Sequence, residues 1–477
     1  MEPPYKNLRN LLEYWDLALY AYTKVWHIGE EGGSIRSGSL HTTHFQEGFC
    51  MTQDFNTYLE QPEIVSALTR LYGENQLTEQ TARYRSLLNA YASHHGQGSI
   101  KLFSAPGRTE IGGNHTDHNH GKVLTGSIDL DTIAVAAPTE EKVITLRSEG
   151  YEKTYSIDLS QLEVSSEDDG TAGLIRGIAS GFVEKGYAIG GFRAYVSSSV
   201  YSASGLSSSA SFEMLICSIL NEFYNEGKLD AVQMGKIGKY AENKFWNKPS
   251  GLLDQIACAH GGLISIDFAD PETPVIEHVS YRFADDGYSL VIVNTGGNHA
   301  DLTEDYAAVP REMFAVAKLL GADVCRGTSP EALYAKLPEI REKAGDRAVL
   351  RALHFFEENH RVDGMLEALR ADDLQAFLPL ITASGNSSWK WLQNVYRPEA
   401  TLHQEVAIAL AITERYIQQL GKGACRVHGG GFAGVILAIL PQADVPAYQE
   451  LIRVTLGTES LEIQVRADGA VCLERLA

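Results

Sequence analysis

Apolar residues recur at helical spacing, then at strand spacing, then at helical spacing again along this chain. Between residues 52 and 95 they fall three or four apart, with Ile64, Leu68 and Leu71 on one face, so a helical lead-in is predicted. From Ile100 short β-type runs take over, at 100–103, 122–124 and 133–136, interrupted by Gly and Pro. After Gly205 the residues Phe212, Leu215, Ile216, Ile219, Leu220 and Phe223 line one helical face, and the helix is expected to stop near Gly227. Strands are predicted at 262–266 and 289–293, then helices at 306–320, 347–360 and 402–420. The chain closes with a strand at 435–440, a helix at 445–456 and a strand at 461–466.

This order of elements is α+β without internal repeats, and a domain boundary is placed near Glu277. A chain of 477 residues exceeds one core, in keeping with more than one domain. Residues 1–50 lack the periodicity of the rest and carry a Gly/Ser/His-rich stretch from Gly32 to His44. They are expected to be a disordered or non-native extension. Codons for Gln46-Glu47-Gly48 can spell a bacterial ribosome-binding site, which makes Met51 the expected native start.

The net charge of −21 argues against nucleic acid or an anionic membrane as partner, since both need surplus Lys and Arg. Six scattered cysteines with no C-x-x-C pair suit reduced thiols. No apolar run approaches the roughly 20 residues of a spanning helix. The expectation is a cytoplasmic protein, monomeric or a small homo-oligomer, acting on small molecules.

Four segments carry chemistry. The first, 104–121, packs Arg108, Asn114, His115, Asp117, His118 and His120 into a Gly-rich turn between two strands. Mixed donors and acceptors at this density suit a polyol. A metal site at His115, Asp117, His118 and His120 is a second possibility, and a solvated polar loop a third. The second segment holds Ser202, Ala203, Ser204, Gly205, Leu206, Ser207, Ser208, Ser209 and Ala210 and runs into the long helix. Small residues before a helix start admit phosphate to free N–H groups, although a serine-rich N-cap has the same composition. No Walker-type loop occurs. In the third, 241–255, Asp254 stands among apolar neighbours and is either a desolvated base or a helix cap, while Glu242 is either a magnesium ligand or an exposed helical acid. The fourth, 429–434, matches G-x-G-x-x-G, but a helix is expected before it and a strand after it, the reverse of a dinucleotide fold. A tight turn packing its backbone against another element is the better assignment.

Taken in order, these segments resemble the galactokinase branch of the GHMP small-molecule kinases over roughly residues 98–477. The resemblance implies the GHMP two-domain fold: a mixed-sheet N-terminal domain over 98–276, preceded by the lead-in at 51–97, and a ferredoxin-like C-terminal domain over 277–477. It implies transfer of phosphate from ATP to the anomeric hydroxyl of a galactose-like sugar, with Mg²⁺ as cofactor. By position, Asp254 matches the family's catalytic aspartate and Arg108 its partner. Glu242, with Ser208 and Ser209 in the loop, matches the magnesium site. Residues Ser202 to Ala210 match the ATP loop, and Asn114, His115, Asp117, Gly251 and Tyr306 match sugar contacts. The pattern departs at Asn114, where the family has Glu, at Glu110, where it has Asn, at His118 for Tyr and at His428 for Thr. In the phosphate loop Tyr201, Ala203 and Ser204 also depart. Asn114 would repel a C6 carboxylate less than Glu does, so galacturonate is an alternative substrate, as is N-acetylgalactosamine. A sensor that binds sugar and ATP without turnover is the non-enzymatic alternative.

Overall fold

A computed structural model describes residues 55–96, 98–166, 168–200, 205–248, 250–297, 302–397 and 399–476. The expectations for residues 1–50, for Met51 and for Ser202, Ala203 and Ser204 lie outside this set. Three helices open the described chain: α1 (Phe55–Leu59), α2 (Pro62–Tyr72) and α3 (Leu77–His95). Next come β1 (Lys101–Gly112), β2 (Lys122–Thr139), β3 (Val143–Ser148), β4 (Thr154–Asp158), α4 (Gly170–Glu184) and β5 (Gly191–Ser198). Helices α5 (Ser208–Tyr224), α6 (Ala231–Phe245) and α7 (Leu253–His260) precede β6 (Leu263–Asp267) and β7 (Val275–His278). The second half holds β8 (Tyr288–Asn294), α8 (Thr303–Leu319), α9 (Pro330–Ala335), α10 (Leu337–Ala344), α11 (Asp346–Arg370), α12 (Leu374–Ser387) and α13 (Glu405–Leu420). It ends with β9 (Ala424–His428), β10 (Val435–Pro441), α14 (Val445–Leu456), β11 (Ser460–Ile463) and β12 (Val471–Cys472).

Alternation along β2 explains the layering of the first half. Ile133 and Val135 point to one face and pack with Leu68, Leu71, Leu88 and Tyr91 of the lead-in. Ala134 and Ala136 point to the other, against Ile178, Leu215 and Ile219 of α4 and α5. The lead-in thus covers one face of a mixed eight-stranded sheet, in which β3 and β5 run parallel and the remaining pairs antiparallel. Two predicted strands, 122–124 and 133–136, are one 18-residue strand.

The second sheet is antiparallel in the order β11-β8-β10-β9, the βαββαβ arrangement of a ferredoxin-like unit. The boundary near 277 is nevertheless not a clean cut. After β11 the chain returns to the first sheet, where β12 pairs with β1 in register Phe103↔Cys472. Residues Thr52–Ala477 pack as one unit. The Gly-rich turn 429–434 joins β9 to β10 in an antiparallel hairpin, so a strand and not a helix precedes it. No helix follows, and a dinucleotide fold stays excluded. Among the described residues, no helix is long and apolar enough to cross a membrane.

Candidate active site

Three elements bring the site together. Strand β1 breaks register between Pro106 and Arg108, and there its backbone meets the start of α5: Arg108 N–H donates to Leu206 O at 3.1 Å. A Cβ on Gly107 would lie 2.7 Å from that same carbonyl, so only Gly permits the approach. Arg108, thus placed, forms a two-pronged ion pair with Asp254 in the first turn of α7, Nε to Oδ1 at 2.8 Å and Nη2 to Oδ2 at 3.0 Å. Its Nη1 donates to Gly205 O. Ser207, held in the left-handed region at φ 62°, donates its hydroxyl to Asp254 Oδ2. Asp254 therefore caps no helix. Burial pushes its carboxyl up, but Arg108, the Ser207 hydroxyl and Lys248 outweigh this and hold it below the usual carboxylate range. The side chain is still 35% exposed, so a ligand can reach it.

A second acidic group lies behind the start of α5. Glu242 on α6 is buried, and its Oε1 accepts from Ser209 Oγ at 2.9 Å and from Lys248 Nζ at 2.5 Å. The hydroxyl that donates to Glu242 is that of Ser209, the second residue of α5, and not that of Ser208, the first. Gln255 Nε2 bridges Glu242 Oε2 at 3.0 Å and the buried Glu213 Oε2 at 3.1 Å; Gln255 and Glu213 had no part in the sequence-based assignment. The Ser209–Glu242 pair is a hard-oxygen donor set already holding one cation, the Lys248 ammonium, whose Nζ also lies 3.2 Å from Ser209 Oγ. Those groups fit Mg²⁺, which takes a few protein oxygens and fills the remainder with phosphate and water.

The signature after β1 behaves differently from expectation. Asn114 is fully buried and every hydrogen-bonding capacity of its amide is used within the protein. Its Nδ2 donates to Glu110 Oε1 at 2.9 Å and Gly429 O at 2.7 Å, while Oδ1 accepts from Asn394 Nδ2 at 2.8 Å and Ser388 Oγ at 3.2 Å. Asn114 is thus a scaffold residue, and the argument for galacturonate that rested on it falls. The neighbouring assignments follow a similar pattern: His115 Nε2 donates to Gly430 O at 2.9 Å and Tyr306 Oη to Gly431 O at 3.0 Å. Three successive carbonyls of the turn are therefore gripped by Asn114, His115 and Tyr306. Burial lowers His115 to about 4, so the ring is neutral and its Nδ1 is an acceptor. Asp117 meets Gly251 so closely that a Cβ there would sit 1.7 Å from Asp117 Oδ2. This contact joins the signature to the turn before Asp254. No cluster of three or more His, Cys, Asp and Glu that could hold a metal occurs among the described residues, so the histidines of the signature do not converge.

Several residues that build the site escaped the sequence assignment. His354 Nε2 donates to Asn114 O and Glu358 Oε1 accepts from Gly113 N–H, at 2.9 and 3.1 Å, so one face of α11 fixes the signature backbone. Arg426 pairs with Glu110 in the interior at 2.9 Å, and His428 Nε2 accepts the Glu110 N–H at 2.9 Å. Their only sequence signal is the polar alternation Arg426–His428 in an otherwise apolar stretch.

Comparison with known proteins agrees with this geometry. The galactokinase galactose-binding signature matches residues 89–138, and the GHMP kinases N terminal domain matches residues 173–262. A galactokinase of Lactobacillus helveticus is 30% identical over 369 residues, covering 76% of this chain and 92% of that protein. One from Thermococcus kodakarensis is 30% identical over 341 residues, covering 72% and 89%. The crystal structure of Lactococcus lactis galactokinase complexed with galactose superposes with a TM-score of 0.71 at 25% identity, covering 82% of this chain and 99% of that one. Methanococcus jannaschii mevalonate kinase, at TM-score 0.53 and 17% identity, shares the fold. The chain is a sugar phosphotransferase and belongs to the galactokinase family of the GHMP kinases.

Proposed function

We propose that this chain transfers the γ-phosphoryl group of ATP to the anomeric hydroxyl of galactose. The observation that supports it most is the ionised Asp254 clasped by Arg108 and Ser207 at the start of α5. Phosphoryl transfer needs positioning and neutralised charge more than covalent help. The first N–H groups of α5 are free to receive phosphate oxygens. Asp254 Oδ, 35% exposed, accepts the proton of the sugar hydroxyl as the bond to phosphorus forms. Arg108 keeps that carboxylate charged and oriented before the proton arrives. Ser209 and Glu242 would hold Mg²⁺, which when bound supplies charge neutralisation on the triphosphate. Asp117, Gly251 and His115 Nδ1 offer the sugar its polar contacts.

The test is Asp254→Asn. Sugar affinity by calorimetry is expected to stay within about fivefold, while ADP release with magnesium ATP falls by about 10²–10⁴-fold, the range for loss of a positioned base. A variant with unchanged kcat would remove Asp254 from this role.

A further inference from the structure

The cation on the Ser209–Glu242 pair is a side chain of the protein itself. Lys248 Nζ lies 2.5 Å from Glu242 Oε1 and 3.2 Å from Ser209 Oγ, bridging the two oxygens offered above to Mg²⁺. Resting on that assignment, we propose that Lys248 is a mobile phosphate-binding residue. It holds the Ser209–Glu242 pair in the nucleotide-free protein, and it leaves the pair to Mg²⁺ and closes on the terminal phosphate when the nucleotide binds.

The pair does not suit two cations at once. Glu242 is buried, its Oε2 accepts from Gln255 Nε2 at 3.0 Å, and its Oε1 already accepts from Ser209 Oγ at 2.9 Å. An ammonium and a divalent ion on that one oxygen repel each other strongly in a place so far from water, so Lys248 has to withdraw before Mg²⁺ can use it. Its side chain is free to do so while its backbone is not. Lys248 N–H donates to Glu242 O at 3.1 Å, directly after Asn247 in the left-handed region at φ 52°, which fixes the root of the side chain at the end of α6. The side chain itself is 46% exposed, with the Trp246 ring 5.1 Å from Nζ. Charge decides where the ammonium goes. Its field reaches Asp254, which it helps to hold ionised, but both oxygens of that carboxylate are already taken by Arg108 and Ser207. Ser209 belongs to the first turn of α5, whose N–H groups receive phosphate oxygens in the proposed reaction. Those oxygens are the new anions within reach of a four-carbon stem rooted at 248. An ammonium carries three hydrogens that turn freely, so Lys248 can exchange one set of acceptors for the other without losing a bond.

Lys248→Met tests this on the full chain, since it removes the charge and keeps the length of the stem at an exposed position; thermal melts confirm that the variant folds. Magnesium chloride titrated calorimetrically into the nucleotide-free protein is expected to bind the variant about tenfold or more tighter than the parent, because the ammonium leaves the pair open in only a small fraction of parent molecules. Glu242→Gln in the same variant should abolish that gain. With the triphosphate present the order should reverse. The β,γ-imido analogue of ATP in saturating Mg²⁺ should bind Lys248→Met about tenfold more weakly, the loss of one charge-assisted hydrogen bond. In steady-state assays kcat should fall by about 10²-fold while KM for galactose stays within about threefold. Lys248→Arg, which restores the charge, should keep Mg²⁺ binding weak and recover most of the analogue affinity. Equal Mg²⁺ affinity in the parent and Lys248→Met would overturn the proposal, because the ammonium would then not compete for the pair. Tighter Mg²⁺ binding with analogue affinity and kcat unchanged would overturn it as well, because the ammonium would then pass to water and not to phosphate. A gain that survives Glu242→Gln would overturn the magnesium assignment itself. If Mg²⁺ and the analogue behave as expected but the parent phosphorylates no galactose, the role of Lys248 stands and the sugar assignment falls.

Discussion

Asp254 must receive a proton while a guanidinium presses it to stay charged. Desolvation alone would lift its carboxyl, and Arg108, Ser207 and Lys248 reverse the sign. Because the folded carboxyl titrates below its ordinary range, the base stays ionised through neutral and mildly acidic pH, and the acid limb of kcat/KM is expected at or below the usual carboxylate region. Arg108→Ala leaves desolvation opposed only by Ser207 and Lys248. In that variant the acid limb should move to higher pH and kcat at neutral pH should fall by about 10²–10³-fold, the cost of losing a fixed charge at a transition state. A pH profile of kcat/KM for both enzymes checks the shift; coincident acid limbs would contradict it. Arg108, Glu242 and Asp254 were assigned through the order of the motifs and the resemblance it carries, because taken singly Asp254 suits a helix cap and Glu242 an exposed helical acid equally well. Asn114 was not legible in the same way. Its partners Ser388 and Asn394 lie far away in the chain, and an amide facing a sugar looks the same in sequence as one facing a scaffold. Ser208 and Ser209 were likewise inseparable until the start of α5 was known.

At the scale of elements, long helices and apolar strands emerged from periodicity, with 445–456 matching α14 and 435–440 nearly all of β10. Strand β9 did not, because its Arg426 and His428 alternate as a solvent face would while both are buried, one against Glu110 and the other under a backbone amide. Helix α11 was predicted, but its task was not. Its Glu358 holds Gly113 N–H, accepts from Ser384 Oγ at 2.5 Å, and pairs with Arg361 at 2.6 Å. Burial opposes ionisation of Glu358; His354, Arg361 and Arg426 around it, with the Ser384 hydroxyl, still hold the carboxyl low, at about 2. A folded pKa below the unfolded one adds stability above the unfolded value, near 4, and that contribution is lost as pH falls toward 2. The difference corresponds to about 3 kcal/mol at neutral pH. Glu358→Gln should therefore lower the urea midpoint at pH 7 and flatten its decline between about pH 5 and 3. A midpoint as acid-sensitive as that of the parent would show that Glu358 does not set the acid limit.

Across the whole molecule, the lead-in helices had no function assigned from sequence, because their partner face is built by strands that follow them. The structure ties them down through Asp131 of β2, a fully buried carboxylate between two arginines: Arg83 of α3 at 2.6 Å and Arg466, beyond β11, at 3.0 Å. Tyr72 of α2 donates to the same carboxylate at 2.5 Å. Burial raises the cost of that charge, but Arg83, Arg466, Ser104 and Tyr72 outweigh it, and the carboxyl is held low. One residue thus joins the lead-in, the first sheet and the chain segment returning from the second sheet. Arg83→Ala leaves Asp131 buried with a single guanidinium and should destabilise the fold by about 3 kcal/mol, at the lower end for a broken buried pair because Arg466 remains. Arg83→Lys should recover part of this, since an ammonium restores the charge without the second bond from Nη2 to Asp131 O. Thermal melts of the two variants decide it, with galactose kinase activity at 25 °C as control. On β1 the register partner of Asp131 is Pro106, two residues before Arg108, so kcat of the folded fraction is measured beside each melt to separate a loss of stability from a shift of Arg108. If Arg83→Ala melts with the parent, Arg466 alone satisfies Asp131, and the lead-in is held by its apolar face on Ile133 and Val135.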